Sequence, residues 1–265
     1  MRVVRFVTTP RETPRYGGLD EAGTTVCELR NPPWRGLEPG PGRWPLAAVT
    51  LLAPVEPPDV IAIGLNYRAH AAESKLKLPS APVIFLKATS SVIGPDAPIL
   101  LPRMAPDEVD AEAELAIVIG TTCHQVTAAA AADYIFGYTC ANDVSARDCQ
   151  LRQDAQWARG KSFDTFCPLG PWIDTGFTPE TAHVQLRVNG ELWQDGATTD
   201  MLFDCHTLVS YCSQVMTLRP GTVILTGTPP GVGFAQNPPR FLGANAVVEV
   251  TITGLATLRN PVAAF

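Results

Sequence analysis

Two glutamates separated by one residue, Glu112 and Glu114, lie in the most informative segment of this sequence. The segment, VDAEAELAIVIG, predicts a β-strand, and because side chains alternate along a strand, both carboxylates should project from the same face. Neighbouring carboxylates repel each other unless a cation lies between them, and Mg²⁺ and Mn²⁺ prefer such oxygen ligands. A solvated strand face could carry the same pair, but the apolar run from Ala113 to Gly120 favours a buried metal site.

A third acid and a lysine follow at positions where either a structural or a chemical role is possible. Asp143, in ANDVSARD, falls at an expected strand end or helix start, where it could be a metal ligand or cap the helix. Lys161, in RGKSFD, could lie along apolar surface with its ammonium in water. Near a metal it could instead pair with a substrate carboxylate or with developing enolate charge.

His70 and Glu73 form an H-x-x-E pair in NYRAHAAES. On a helix these positions share a face, and a carboxylate beside an imidazole orients it as a general base that can activate water. An incidental pair on an exposed helical turn is the alternative. Further along, the segment LTGTPPGVG predicts a rigid loop whose backbone amides and Thr228 hydroxyl suit an anionic substrate. It lacks the glycine spacing and the lysine of a nucleotide-binding loop.

Composition excludes several classes of function. The chain has 265 residues, 46% of them hydrophobic, and a net charge of −6, so it lacks the basic character typical of nucleic-acid binding. No apolar run approaches the roughly 20 residues that span a bilayer, and we do not expect the protein to bind a membrane. Seven cysteines without a C-x-x-C motif indicate reduced thiols in a cytoplasmic protein.

The order of elements predicts an α+β fold with more strand than helix, in two domains. Residues 1–57 are predicted to form a small β domain, with RYGGLDEAG as a turn and NPPWRGLEPGPGRWP as a loop. Residues 58–265 are predicted to form the main domain. Its expected strands include VIAIG, VIFLK and a hairpin turning at Asn189-Gly190. Its expected helices cover residues 69–77, 128–135 (capped by Thr127), 145–158 and 204–216.

Several separated segments, taken in order, resemble the fumarylacetoacetate hydrolase family. They are IGLNYRAHAAE, the E-A-E-L strand, NDVSARD, GKSFD, DGATTDMLF and LTGTPPGVG, and the resemblance covers roughly residues 58–262. It implies a mixed β-sandwich or roll, a homodimer, and Mg²⁺ or Mn²⁺ held by Glu112, Glu114 and Asp143. It also implies that His70 and Glu73 form a catalytic dyad on a lid segment and that Lys161 contacts substrate beside the metal. The other substrate-binding positions are Gln150, Thr228, which faces the substrate's carboxylate end, and Arg68 on the lid.

The resemblance implies a metal-dependent enzyme that cleaves the bond between carbons 3 and 4 of a 2-oxo acid through a pyruvate enolate. With a ketone at carbon 4 the result is acylpyruvate or fumarylpyruvate hydrolysis, and with a carboxylate there it is oxaloacetate decarboxylation. One alternative is an isomerase or decarboxylase of 2-hydroxyhepta-2,4-diene-1,7-dioate in aromatic catabolism, and a further one is a dehydratase of sugar-derived 2-oxo acids. An alternative of another class is a non-catalytic protein that binds oxo acids.

Overall fold

A computed structural model describes residues 1–75 and 77–265 as a β-rich structure with few, short helices. Its strands are β1 (Arg2–Val7), β2 (Arg15–Leu19), β3 (Thr25–Leu29), β4 (Pro39–Pro45), β5 (Thr50–Leu52), β6 (Val60–Gly64), β7 (Val83–Lys87), β8 (Val92–Ile93), β9 (Ile99–Leu101), β10 (Val109–Asp110), β11 (Ala113–Ile119), β12 (Ile135–Asn142), β13 (Ser145–Ala146), β14 (Cys167–Asp174), β15 (His183–Val188), β16 (Glu191–Ala197), β17 (Val223–Leu225), β18 (Val247–Ile252) and β19 (Ala256–Ala264). Its α-helices are α1 (Arg68–Glu73), α2 (Ala158–Lys161) and α3 (Cys205–Val215). Single turns of 3₁₀ helix cover Pro33–Arg35, Leu46–Ala48, Thr89–Ser91, Pro179–Thr181, Thr198–Asp200 and Gly233–Ala235; a longer one covers Ala128–Tyr134, and a π-helical turn covers Cys149–Gln153.

Two sheets and one short ribbon hold the chain together. The larger sheet runs in the order β4-β3-β2-β1-β14-β12-β11-β17-β6-β7, with β5 paired to β1 and β8 paired to β14. The second sheet runs β16-β15-β18-β19-β9, and β10 pairs with β13. Mixed sheets with short helices confirm the α+β prediction.

The larger sheet curls strongly near the centre of the molecule. Lys87, at the end of β7, places its Nζ 2.5 Å from a carboxylate oxygen of Asp143, which follows β12. Four strand spacings separate β7 from β12 in the sheet order, or about 19 Å in a flat sheet, which no lysine side chain spans. The sheet therefore bends, and the loop after β12 folds over its face, so that residues from distant strands meet.

Strand β11 is buried on both faces, which explains its continuous apolar sequence. Leu115 and Ile117 belong to the core that includes the second sheet and α3, whereas Ala116 and Val118 face the opposite core with β6, β14 and β17. Burial of a leucine or isoleucine side chain contributes roughly 1.5–3 kcal/mol. The strand that carries Glu114 is thus fixed by its neighbours on both sides.

The N-terminal segment contains more strand than the sequence predicted. RYGGL, expected as part of a turn, forms β2, and PGPGRWP, expected as loop, forms β4. Proline cannot donate to a neighbouring strand, so it is tolerated only at an edge or bulge. β4 is the edge strand of the larger sheet, and its ladder with β3 is irregular between Cys27 and Leu29. The prolines were compatible with a strand because this strand needs few amide donors.

Two predicted helices differ from the structure. The helix expected over residues 69–77 ends at Glu73; of that range, Leu76 lies outside the described residues. The polar segment 145–158 is not one helix, because it contains β13 and a π-helical turn before α2 begins at Ala158. The first helix ends just before Lys75, which has a positive φ of 54°. In the second segment, buried ion pairs of Arg147 with Glu112 and Asp110 outweigh local helix preference.

The remaining local predictions give mixed results. The alanine run at 128–134 is 3₁₀ helix, and the Thr127 side chain makes no capping hydrogen bond. The Asn189-Gly190 hairpin between β15 and β16 is confirmed, with φ of 52° and 80° as a tight two-residue turn requires. The helix near residues 204–216 is confirmed as α3, and its N-terminus is capped by Asp204, which accepts a 2.7 Å hydrogen bond from Thr207 N.

All seven cysteines are free thiols, and only Cys27 is not buried. Burial raises the pKa of Cys140, Cys167, Cys205 and Cys212 to about 12, and the thiolate is the reactive form. Native protein treated with iodoacetamide at pH 8 should therefore gain one label, at Cys27, whereas denatured protein should gain seven. Intact mass with peptide mapping checks this, and rapid labelling of a buried cysteine in native protein would contradict it.

Across the described residues, none of the helices combines the length and the apolar character that crossing a bilayer demands.

Candidate active site

Glu112, Glu114 and Asp143 form one buried cluster. One carboxylate oxygen from each lies within 4.8 Å of the corresponding oxygen of the other two. The ladder between β11 and β12 causes this approach, because it pairs Ala113 with Asn142 and so places the residues just outside the pair together. Asp143 N donates to Glu112 O across 2.9 Å. The capping role considered for Asp143 is absent, since a strand and not a helix begins two residues later.

Two lysines neutralise part of this charge. Lys161 Nζ lies 2.7 Å from Glu112 Oε2 and 2.6 Å from Asp143 Oδ2, and the side chain is only 2% exposed. Lys87 Nζ lies 2.5 Å from Asp143 Oδ1 and 3.3 Å from Val144 O, and it also donates to the Lys161 carbonyl. Lys161 is therefore not an ammonium extended into water but part of the acidic cluster.

The neighbouring charges shift the pKa values of Glu112 and Glu114 in opposite directions. Burial raises the pKa of Glu114 well above its ordinary value, and the negative charges of Asp143 and Glu112 raise it further. Burial has the same effect on Glu112, but Lys161 and Arg147 outweigh it and hold the pKa of Glu112 below its ordinary value. A cation among the three oxygens would relieve the repulsion felt by Glu114. Three hard oxygen donors this close fit Mg²⁺ or Mn²⁺.

A buried arginine connects the cluster to the loop after β17. Arg147 Nη1 lies 2.7 Å from Glu112 Oε1, and Arg147 Nη2 lies 2.8 Å from Asp110 Oδ2. Burial opposes the charged guanidinium, but Glu112 and Asp110 together raise the pKa of Arg147. Asp110 also accepts hydrogen bonds of 3.0 Å from the amides of Gly233 and Phe234. Asp110 thus fixes both Arg147 and the loop opposite the carboxylates.

Asp110 should therefore contribute strongly to stability. In Asp110→Asn the Arg147 guanidinium loses a buried ionic partner, which costs roughly 3–5 kcal/mol when one member of such a pair is removed. The matched control is Asp96→Asn, because Asp96 is 77% exposed and its pair with Arg259 spans 3.5 Å; exposed pairs contribute about 0–1 kcal/mol. Urea unfolding compares the two free energies, and equal small losses would show that the buried pair is not important for stability.

His70 and Glu73 lie on α1, at the other side of the same cavity. His70 Nδ1 is 2.8 Å from Glu73 Oε1, and the second oxygen of Glu73 accepts from Gly231 N across 2.8 Å. The first turn of α1 is fixed by Asp200, whose Oδ2 accepts from Ala69 N at 2.9 Å. With Nδ1–H donated to the Glu73 carboxylate, Nε2 of a neutral His70 carries the lone pair that a general base needs.

The loop beginning at Thr226 closes the site from the side of β17. Gly227 N donates to Glu114 Oε2 across 2.7 Å, and the positive φ of Gly227 (94°) permits this approach. The Thr228 hydroxyl donates to Ala113 O at 2.9 Å and accepts from Gln194 Nε2 at 2.8 Å. Gln194 also accepts from Ala113 N at 2.9 Å, so it holds Thr228 against the start of β11.

The carboxylate cluster, Lys161 and His70 line a cavity that is open to solvent and has both polar and apolar walls. The apolar wall contains Phe85 and Trp157, whose rings meet edge to face with centroids 5.6 Å apart. The predicted site residues that line the cavity are His70, Glu112, Glu114, Asp143, Gln150, Lys161 and Thr228. A small organic acid can therefore contact the carboxylate cluster, the histidine and the rings at the same time.

Two of the predicted site residues do not line the cavity. Glu73 lies behind His70 and acts on it through the hydrogen bond above. Arg68 is exposed and donates to the carbonyls of Asp200 and Met201 at 3.1 and 3.0 Å. The structure thus holds Arg68 against a neighbouring loop and outside the cavity lining, and its role in substrate binding stays a prediction.

Sequence reasoning missed four buried polar residues that support the site: Lys87, Asp110, Arg147 and Gln194. Only Asp110 had a visible signal, since it continues the every-second-residue series of Glu112 and Glu114. Gln150, predicted to bind substrate, accepts from Arg147 Nη1 at 2.8 Å, so the same arginine orients it.

Known proteins share this chain's sequence and fold. Residues 59–263 match the family described as fumarylacetoacetate (FAA) hydrolase C-terminal, and residues 1–54 match Rv2993c-like, N-terminal. The Xenopus laevis protein named oxaloacetate tautomerase fahd2, mitochondrial, is 46% identical over 99% of this chain and 90% of its own length. The structure titled 5-carboxymethyl-2-hydroxymuconate delta-isomerase from Mycobacterium smegmatis is 45% identical, covers 100% of both chains and has a TM-score of 0.90.

A second solved structure, titled 2-hydroxyhepta-2,4-diene-1,7-dioate isomerase from Mycobacterium marinum, is 42% identical with a TM-score of 0.86 and covers 100% of this chain and 98% of its own. The chain belongs to the fumarylacetoacetate hydrolase family of enzymes.

Proposed function

We propose that this enzyme binds a 2-oxo acid at a divalent-metal centre and transfers a proton at carbon 3, interconverting keto and enol forms of an oxaloacetate-type substrate. The observation that carries this proposal is the placement of His70 in the same cavity as Glu112, Glu114 and Asp143. A base and a centre for stabilising negative charge are the two requirements for enolisation beside a carbonyl. The tautomerase and isomerase names of the relatives describe reactions of this kind.

The residues of the chain have separate roles in this reaction. A Mg²⁺ or Mn²⁺ ion held by the three carboxylates would supply Lewis-acid polarisation of the 2-oxo group. His70 Nε2 removes the proton from carbon 3, and Glu73 stabilises the imidazolium that results. The ammonium of Lys161 stabilises the negative charge that develops on the 2-oxo oxygen. That oxygen then takes up a proton, and the product is the enol.

Cleavage between carbons 3 and 4 is the second candidate, and the hydrogen-bonded pair of buried His70 and half-buried Glu73 favours it. A 2.8 Å hydrogen bond to a carboxylate prepares His70 to take a proton from water. If carbon 4 is a ketone, the resulting hydroxide adds there, the bond between carbons 3 and 4 breaks, and pyruvate enolate and a carboxylic acid form. If carbon 4 is a carboxylate, loss of CO₂ gives the same enolate without water.

One experiment separates these reactions. Metal-loaded enzyme is given enol-oxaloacetate, keto-oxaloacetate and acetylpyruvate, while enol absorbance, deuterium uptake at carbon 3 and pyruvate release are followed. Rapid loss of the enol form without pyruvate supports the tautomerase, and pyruvate from acetylpyruvate supports hydrolysis. Free metal without protein and chelator-treated enzyme are the controls, because divalent ions alone can act on oxaloacetate. Failure of all three readouts would contradict both candidates and favour a binding protein.

The expected homodimer also stays a prediction. Light scattering on a sizing column tests it directly, because one chain has a mass of 28.4 kDa.

A further inference from the structure

The three clustered carboxylates each use one oxygen for a fixed protein partner. Glu112 Oε1 is held by Arg147 at 2.7 Å, Asp143 Oδ1 by Lys87 at 2.5 Å, and Glu114 Oε2 by Gly227 N at 2.7 Å. These partners belong to the buried scaffold. One oxygen of each carboxylate has no contact with these three partners, namely Glu112 Oε2, Asp143 Oδ2 and Glu114 Oε1.

Lys161 engages two of these three remaining oxygens. Its Nζ lies 2.7 Å from Glu112 Oε2 and 2.6 Å from Asp143 Oδ2. Lys161 lines the cavity, whereas the Lys87 side chain is 0% exposed and is not among the cavity-lining residues. Of the two lysines, only Lys161 thus both contacts these oxygens and borders space into which its ammonium could move.

We propose that Lys161 is an internal counterion that occupies the cation position of the metal-free enzyme and leaves it when the metal binds. This inference rests on the metal centre of the proposed function. The flexible four-carbon stem of lysine allows its ammonium to turn from the carboxylates into the cavity, where it meets the 2-oxo acid. Binding of the metal then also moves the Lys161 ammonium to the position where it contacts substrate. The enzyme should therefore bind metal before substrate.

A competing explanation is general repulsion between any nearby positive charge and the metal. Lys87 separates the two explanations because it also contacts Asp143, carries the same charge and is equally buried. General repulsion predicts that removing either ammonium strengthens metal binding to a similar extent. Occupancy of the cation position predicts a much larger effect for Lys161.

Titration calorimetry with MnCl₂ on chelator-treated protein compares wild type, Lys161→Met and Lys87→Met. We expect Lys161→Met to bind Mn²⁺ at least about tenfold more tightly than wild type, a typical size for coupling between two binding events, and Lys87→Met to show no comparable gain. Equal gains in both variants, or none in Lys161→Met, would overturn the proposal while leaving the metal centre in place. Absence of Mn²⁺ binding by all three proteins would overturn both.

A measurement on the wild-type protein keeps the proposal testable if a variant fails to fold. Reductive methylation of lysines is followed by peptide mass spectrometry with and without Mg²⁺. Lys161 should be protected in the metal-free enzyme, because it is buried in two ion pairs, and should react several-fold faster once Mg²⁺ is bound. Lys87 should stay protected in both states. An unchanged Lys161 rate would contradict the exchange.

Discussion

Replacing Glu114 with glutamine should abolish catalysis and weaken binding of Mg²⁺ or Mn²⁺ by at least about 100-fold, because a direct ligand should matter more than the supporting contacts that typically cost 10–100-fold. The substitution keeps the shape of the side chain and an oxygen that can accept from Gly227 N. It removes one of three clustered negative charges. Calorimetry gives the affinity, and the enol-oxaloacetate assay gives the rate.

In the absence of metal, we expect the same variant to be more stable than wild type. Without metal, the charges of Asp143 and Glu112 act against Glu114, so Glu114→Gln should unfold at a higher temperature than wild type in the presence of chelator. Glu249→Gln on β18 is the control for loss of one negative charge away from the site. Wild-type metal affinity in Glu114→Gln would contradict the assignment of the metal centre.

Replacing His70 with asparagine should lower turnover by about 10²–10⁴-fold, the usual contribution of a positioned acid or base. Affinity for pyruvate, a product analogue without a second carboxylate, should change by less than about threefold, because His70 acts on a proton and not on the carboxylate end. Steady-state rates and competitive inhibition by pyruvate measure the two effects separately.

His183→Asn is the matched control, because His183 also lies beside a carboxylate, with Nδ1 3.0 Å from Asp195, but is exposed on β15. Its activity should equal that of wild type. Glu73→Gln should lose less activity than His70→Asn, since Glu73 only positions the imidazole and holds Gly231. Normal enolisation together with lost hydrolysis in His70→Asn would assign His70 to water activation alone.

Part of the acidic cluster was predictable because its signal is local. The sequence placed Glu112 and Glu114 on one face of a single strand; in the structure Glu114 lies on β11 and Glu112 immediately precedes that strand, yet both carboxylates reach the same cluster. Their apolar surroundings indicated burial, which β11 shows on both faces. Asp143 needed the family resemblance, because its approach depends on the register between β11 and β12, and no single-sequence pattern specifies that register.

The supporting residues were not predictable for the same reason. Lys87 ends a strand four positions away in the sheet, and only the curl of that sheet brings its ammonium to Asp143. Arg68 lies two positions before His70, and residues two apart on a helix do not face the same way; its contact with substrate stays a prediction.

The larger sheet joins the N-terminal strands to the strands that carry the site, so removing the N-terminal segment should affect the remaining protein. β1 pairs with the Ile173–Asp174 end of β14, and β14 in turn pairs with β12, which leads to Asp143. A piece of the chain starting near residue 58 would keep every cavity-lining residue but leave that end of β14 without its neighbour. Unpaired strand edges recruit other chains and promote aggregation. Strand β1 therefore protects this part of β14 from pairing with other chains. We expect the segment from about residue 58 onward to contain the whole cavity but to aggregate when it is produced without the N-terminal strands.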